Sequence, residues 1–260
     1  MQNFTTTSWN VQGTWNITGH TSLTKVQAEL QTAYADVIAL QEAEHVKSAL
    51  QNIYPRNTYN LFVPKSKNNH NVIASKYPII NGREIVFPNW GQKRQLENAT
   101  TVNLQMHDKT LRIYNCHFPI FRAGPALRLK QLEYIFEDNN DHTGPTIICG
   151  DLNTTIPAPG MLRAIIKAWH LEPNSDMVIH NKFLKVAEQE TFSQTLTQNG
   201  FTEVLSLKTP TWSPFKTEHL ELFNLKLDWF MVKGLKTQHI KLGDYVSDHK
   251  LIQVTCNIVI

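Results

Sequence analysis

No stretch of this 260-residue chain approaches the run of about 20 apolar residues needed to cross a bilayer. The start, Met1-Gln2-Asn3-Phe4, lacks the basic and apolar regions of a signal peptide. A cytoplasmic location is therefore expected, or secretion if a targeting segment has been removed. Cysteine is scarce. Cys116, Cys149 and Cys256 are an odd, widely spaced set with no CxxC or Cys/His pattern, which excludes a zinc module and a disulfide framework. Each lies in an apolar run and reads as a buried, reduced thiol. Repeats, low-complexity tracts and Gly/Ser linkers are absent, so a single domain over residues 1–260 is expected, with a monomer as the default. Charge of one sign is also in short supply. With 25 Lys and Arg against 22 Asp and Glu, the formal charge is +3, a mild bias toward polyanions that falls short of a dedicated nucleic-acid binder.

What is present is 41% hydrophobic and arranged as alternating strand-like and helix-like segments. Strands are predicted over 4–11, 37–40, 71–75, 99–104, 111–116, 146–149, 226–232 and 250–259. Helices are predicted over 22–34, 125–136, 161–169 and 192–198, from apolar spacing such as Leu23, Val26, Leu30 and Ala33. The stretch 170–190 has no readable periodicity. Polar residues of chemical use recur where apolar strands end: Asn10, Glu42, His117, Asp151 and Asn153. Asp248 and His249 sit at the start of the last strand instead. If the strands lie side by side, these positions share one rim.

Each of these sites has two readings. Gly150-Asp151-Leu152-Asn153 is either an ordinary turn or a hard carboxylate for a magnesium ion beside an amide for a phosphate oxygen. Ser247-Asp248-His249 is either a capped loop or a carboxylate beside a proton-transfer group. Glu42 is either a surface carboxylate or a magnesium ligand at a strand end. Glu44 and His45 after it read as a solvated helix start. Asn10 could orient a metal-bound carboxylate or occupy a turn. Asp228 lies within the aromatic run Leu227-Asp228-Trp229-Phe230, where burial requires a partner such as His249, unless the side chain faces outward. His117 could donate to a phosphoryl oxygen or fill a structural role.

In order, the segments SWNVQG, LQE, NVIASKYPI, NCHF, GDLN, LDWF and SDH run from Ser8 to His249. Together they resemble the endonuclease/exonuclease/phosphatase superfamily. The resemblance implies an α+β, four-layer α/β/β/α sandwich of the deoxyribonuclease I-like kind, with two mixed sheets face to face and helices outside. It implies Glu42 as the principal Mg²⁺ ligand, with Mn²⁺ as a substitute, Asn10 beside it and Asp248 as a further metal-site carboxylate. Asp151 would position or activate water and Asn153 would bind the scissile phosphate. His249, oriented by Asp228, would be the base or the transition-state donor, and His117 would contact the phosphoryl group. Family members differ on whether the base is the histidine or the GDLN aspartate, and on one metal or two. Arg94 stands near a phosphate-binding arginine of some members, and Arg128 with Gln131 echoes an R-x-x-Q pattern; a salt bridge or cap is the other reading of both.

The implied activity is a metal-dependent phosphodiesterase, first a nuclease acting on nucleic acid. A phosphatase or sphingomyelinase-type enzyme acting on inositol phosphates or lipid head groups is the alternative, and a non-catalytic binding module is a remote third. The histidine in NCHF departs from the tyrosine usual in abasic-site nucleases. Trp90, Trp212, Phe215 and Trp229 could stack on bases or anchor the fold, with Trp229 expected in the core. Phe118, Pro119, Phe121 and Arg122 form an apolar-basic loop after His117.

Overall fold

The computed structural model describes residues 3–12, 22–44, 46, 50–55, 58–90, 98–119, 125–154, 191–213, 216 and 224–259. Twelve strands among them form two six-stranded sheets. The first holds β1 (Asn3–Asn10), β2 (Val37–Gln41), β3 (Asn60–Phe62), β4 (Val72–Ser75), β11 (Leu235–Leu242) and β12 (Ile252–Ile258), in the order β11-β12-β1-β2-β4-β3. The second holds β5 (Ile79–Ile85), β6 (Ala99–Met106), β7 (Lys109–His117), β8 (Thr146–Asp151), β9 (Thr202–Glu203) and β10 (Asp228–Lys233), in the order β5-β6-β7-β8-β10-β9. Each sheet is mixed, with one parallel pair, β1–β2 and β7–β8, near its middle.

Three apolar clusters account for the four layers. Phe4, Val37, Ile113, Cys149, Phe230 and Val254 are among the residues that fill the space between the sheets. Val26 and Leu30 of helix α1 (Leu23–Ala33) cover the outer face of the first sheet against Trp9, Ile38 and Leu40. On the far side of the second sheet, Tyr114, Cys116, Ile148 and Trp229 pack against helix α3 (Pro125–Asn139) and the helical residues 191–198. A short helix, α2 (Leu50–Ile53), joins β2 to β3. Strand alternation explains the partition, since successive side chains face opposite layers. The three cysteines are free and buried, as their apolar settings predict. Among the described residues no helix is long and apolar enough to cross a membrane. The helix expected over 161–169 lies outside the described residues.

The eight strands expected from sequence are the eight interior strands of the two sheets; β3, β5, β9 and β11, which the pattern does not show, are the four edges. An edge strand loses the burial that writes an apolar code. β11 is exposed or half-exposed throughout, and β5 alternates weakly around Gly82, over which the Phe62 ring lies.

Along the inner face, the central strands run from apolar residues to polar or ionisable ones at the same end. The rows are Phe4-Thr6-Ser8-Asn10, Ile113-Asn115-His117, Ile147-Cys149-Asp151 and, running backwards, Val232-Phe230-Asp228. The polar middle is joined across the sheets by Asn115. Its Nδ2 donates to the carbonyls of Leu40 and Val72 at 2.9 and 3.0 Å, and its Oδ1 accepts from Gln41 Nε2 at 2.6 Å. All of this is buried, where an unmade hydrogen bond costs about 1–3 kcal/mol. Asn115→Ala would remove three buried hydrogen bonds between the sheets at once. We expect a stability loss of about 2–4 kcal/mol by urea denaturation; a loss below about 1 kcal/mol would contradict the bridging role.

Candidate active site

The strands deliver their charged ends to one rim. β1 and β2 finish at Asn10 and Gln41, β7 and β8 finish at His117 and Asp151, and antiparallel β10 begins at Asp228 directly opposite Asp151. β12 is antiparallel to β1, so residues 247–249 before it reach the same end. The rim expected from sequence therefore forms, and it brings Asn10, Glu42, His117, Asp151, Asn153, Asp228, Asp248 and His249 together.

Backbone conformation places several of these side chains. Strict alternation would send Glu42 outward with Ile38 and Leu40, but Glu42 adopts a left-handed φ of 50° and its carboxylate returns to Asn10. Asn153 and Gln12 are also left-handed, at 51° and 55°. Such conformations cost non-glycine residues roughly 1–2 kcal/mol each and collect where function over-determines the backbone. Gly150, at φ 131°, lies so close to β7 that a Cβ would sit 1.9 Å from the Cys116 carbonyl oxygen. Only glycine allows β8 to approach β7 closely there.

Asn10 organises the carboxylates. Its Oδ1 accepts the Gln12 backbone N–H at 2.9 Å, which turns its Nδ2 toward Glu42 Oε1 at 3.0 Å and Asp151 Oδ2 at 3.1 Å. The amide nitrogen, not the oxygen, thus faces the carboxylates. His117 Nε2 stands 3.8 Å from Glu42 Oε1 and 3.7 Å from Asp151 Oδ2. His249 Nδ1 donates to Asp228 Oδ2 at 2.8 Å, and its Nε2 lies 3.6 Å from Asp151 Oδ2. Asp228 is therefore turned inward and partnered. Asn153 folds back in a turn, its N–H on Asp151 Oδ1 at 3.0 Å and its Nδ2 on the Phe118 carbonyl at 2.8 Å. That use of Nδ2 leaves its second N–H for another acceptor.

A splint that sequence pattern does not reveal, residues 211–213, ties β10 to the 247–250 turn. The Thr211 hydroxyl accepts the N–H groups of Leu227 and Asp228 at 3.1 and 3.0 Å, while the Thr211 carbonyl accepts Lys250 N–H at 2.7 Å. One residue therefore fixes the spacing between Asp228 and His249. Trp212 donates its indole N–H to Asp248 Oδ2 at 3.0 Å. Trp212 is buried, so it anchors a carboxylate instead of offering a stacking face. Trp229 is in the core, as expected, and Trp90 packs on Phe87 and Tyr134. Serine suits position 247 because its hydroxyl donates to the Asn10 carbonyl at 2.8 Å and accepts His249 N–H at 3.0 Å. Arg128 is buried and donates to the Pro119 carbonyl at 3.4 Å, supporting the chain just after His117. Phe118 and Pro119 are buried too. Glu44 is exposed in a turn. Arg94, His45, Phe121, Arg122 and Phe215 lie outside the described residues.

Electrostatically the site is crowded. Burial raises the Asp151 carboxyl to about 6, with the Asp228 charge adding to the shift and His249 and His117 opposing it. Burial likewise raises Asp248, and Glu42 adds to that. For His249, burial alone would weaken proton binding, but Asp228, Asp151 and Asp248 reverse this and hold the ring well above the ordinary histidine value. Glu42, Asp151, Asp228 and Asp248 set four carboxylates against at most two imidazolium charges, an excess that a divalent cation would balance. The hard oxygens of Glu42 and Asp151, gathered on one amide, fit Mg²⁺. Ligand atoms of Asp151, Asp228 and His249 also lie within 4.8 Å of one another. A cation there would displace the proton already shared between Asp228 and His249, so the Glu42 side is the better seat.

A family model described as the Endonuclease/Exonuclease/phosphatase family matches residues 7–249. No curated protein sequence matches significantly. Among solved structures, an endonuclease/exonuclease/phosphatase from Bacteroides vulgatus superposes with a TM-score of 0.70 at 12% identity, covering 99% of this chain and 100% of that one. TDP2 of D. rerio, complexed with a single-strand DNA product, gives 0.63 at 16% identity, covering 99% and 100%. ANGEL2, a 2′,3′-cyclic phosphatase in complex with adenosine-2′,3′-vanadate, gives 0.68 at 13% identity, covering 99% and 96%. At these identities the likeness shows the fold alone, the two-sheet sandwich described above.

Because Asp228 sustains the proton on His249, Asp228→Asn should lower the pKa of that ring, read by histidine NMR titration of the metal-free protein. A folded pKa above the unfolded value stabilises fully below about 6.5, and the contribution is lost as pH rises through the folded value. The stability gap between wild type and Asp228→Asn should therefore narrow as pH climbs above about 6.5. An unmoved ring pKa, or a gap that widens with pH, would contradict the coupling.

Proposed function

The chain belongs to the Endonuclease/Exonuclease/phosphatase family, and from that membership we propose that it is a metal-dependent phosphodiesterase, foremost a nuclease. The observation that carries the reading is the ring around Asp151: Asn10, His117 and His249 place nitrogens 3.1–3.7 Å from its Oδ2, while Glu42 shares the same amide. This constellation can receive a phosphate ester between a carboxylate-held cation and an imidazole.

In this reading Glu42 is the principal ligand for Mg²⁺, Asn10 holds the Glu42 and Asp151 carboxylates in register, and Asp248, steadied by Trp212, adds charge from the neighbouring turn. A bound divalent cation would neutralise charge on the phosphoryl oxygens as it develops. Asp151 orients the attacking water and accepts its proton, a role suited to a carboxyl raised toward neutrality. With its ring held above the ordinary histidine value, His249 would offer its Nε2–H to the phosphoryl group while Nδ1–H stays on Asp228. That favours the donor role for the histidine and the base role for the aspartate. Asn153 and His117 donate to the remaining oxygens, and Arg128 supports the segment after His117. Preorganised donors of this kind are each worth about 3–4 kcal/mol.

A nucleic-acid substrate is favoured by the mild positive charge and by the single-strand DNA product held by TDP2 on the same fold. The ANGEL2 complex supports a second reading, a phosphatase acting on a nucleotide phosphate.

A panel of plasmid DNA, single-stranded RNA, tyrosyl-DNA, 2′,3′-cyclic nucleotide, sphingomyelin and inositol phosphates tests both. Hydrolysis of a nucleic acid with Mg²⁺, abolished by EDTA, is the expected outcome; turnover of the lipid or inositol substrates alone would refute the nuclease assignment. His249→Ala and Asp151→Ala should each lower kcat by more than about a hundredfold with the fold intact. A purified variant with near-normal turnover would remove that residue from the scheme.

A further inference from the structure

Lys226 is a buried cation that the scheme above does not use. Its Nζ lies 3.1 Å from Glu203 Oε1, 3.0 Å from the main-chain carbonyl of Asp228 and 3.8 Å from the centroid of the Trp229 ring. Burial lowers the Lys226 amine and raises the Glu203 carboxyl, so desolvation works against the charged form at both ends of the pair. Glu203 Oε2 is buried and has no partner among the described residues. A buried ion pair of this kind is seldom more stable than apolar side chains of the same volume. Stability therefore does not account for a lysine at this place.

What the ammonium does that an apolar group cannot is hold the Asp228 carbonyl. On the other side of the same residue, the Thr211 hydroxyl takes the Asp228 N–H at 3.0 Å. The peptide groups flanking Asp228 are thus fixed at both ends. The side chain between them needs that restraint, because Asp228 faces Asp151 across paired strands and like charges in that position repel. The adjoining Trp229 donates its indole N–H to the Thr154 carbonyl at 3.1 Å, which carries the same restraint to the residue after Asn153.

We infer that Lys226, paired with Glu203, is a positioning residue that clamps the main chain of Asp228 so that its carboxylate stays on Nδ1 of His249. The kinetic consequence rests on the hydrolase reading; the structural one does not.

The test is the double variant Lys226→Met/Glu203→Gln, which removes both charges and keeps an oxygen at position 203 for the N–H groups of Leu205 and Phe230 that Glu203 now accepts. Its Tm should equal or exceed that of wild type. With bis(4-nitrophenyl) phosphate and Mg²⁺, kcat should fall about 10- to 100-fold with little change in KM. The low-field Nδ1–H proton resonance of His249 should move or broaden. Lys226→Arg, which keeps the cation and its donors, should recover most of kcat and restore the resonance.

A double variant with wild-type kcat and an unmoved resonance would overturn the inference. So would one that fails to fold, because the pair would then be structural. If wild type hydrolyses no phosphate ester but the resonance shifts as stated, the hydrolase reading fails while the clamp stands.

Discussion

Asp151 and Asp228 oppose each other across two paired strands, and the ring of His249 between them is the contact on which the site depends. Two buried carboxylates in that register repel, and without a cation nearby at least one would be driven to take up a proton. His249 eases the conflict, since its ring binds a proton more tightly than an ordinary histidine and sets Nδ1 on Asp228 and Nε2 3.6 Å from Asp151. Much of the local architecture follows from keeping that ring in place. Thr211 fixes the spacing between β10 and the turn at 247–250, Ser247 ties that turn to β1, and Trp9 donates its indole N–H to the His249 carbonyl at 3.0 Å.

The fold supplies this constraint through a gradient along its strands. Between the sheets, the inner rows change from apolar to polar or ionisable within three or four alternating positions. The middle of the gradient, centred on Asn115 and Gln41, is a buried amide network that bridges the sheets between the apolar core and the charged rim. One alternation deeper than Asp151 or Asp228, a charge would lie among the buried apolar side chains around Cys149 and Phe230 with nothing to pair with. Left-handed backbone at Gln12, Glu42 and Asn153 then turns side chains that leave the strands back toward the same point.

Much of this was legible in the sequence, because burial writes a strong signal. Interior strands such as β2 and β8 are continuous apolar runs, and the chemically useful residues stand at their ends. Edge strands such as β11, with Lys236, His239 and Lys241 on a half-exposed ribbon, carry no such code. At the site, Asp228 is legible because a carboxylate in an aromatic strand demands a partner. Thr211 is not, since a threonine in a turn-rich segment reads as loop, and its hydroxyl serves two N–H groups that only the fold brings to it. Trp212 reads from sequence as either a stacking face or a fold anchor, and its indole N–H, not its face, is what meets Asp248. Asn10 was expected beside the metal, but the direction of its amide depends on the Gln12 backbone, which the sequence does not reveal.

The central claim is that the Glu42 carboxylate, held by Asn10, seats the divalent cation, leaving the Asp228–His249 couple intact. Anomalous scattering from a crystal soaked in Mn²⁺ measures this directly. The account predicts a peak against the Glu42 carboxylate, with the proton still shared between Asp228 and His249. A peak lodged between Asp228 and His249, with Glu42 left unliganded, would contradict it.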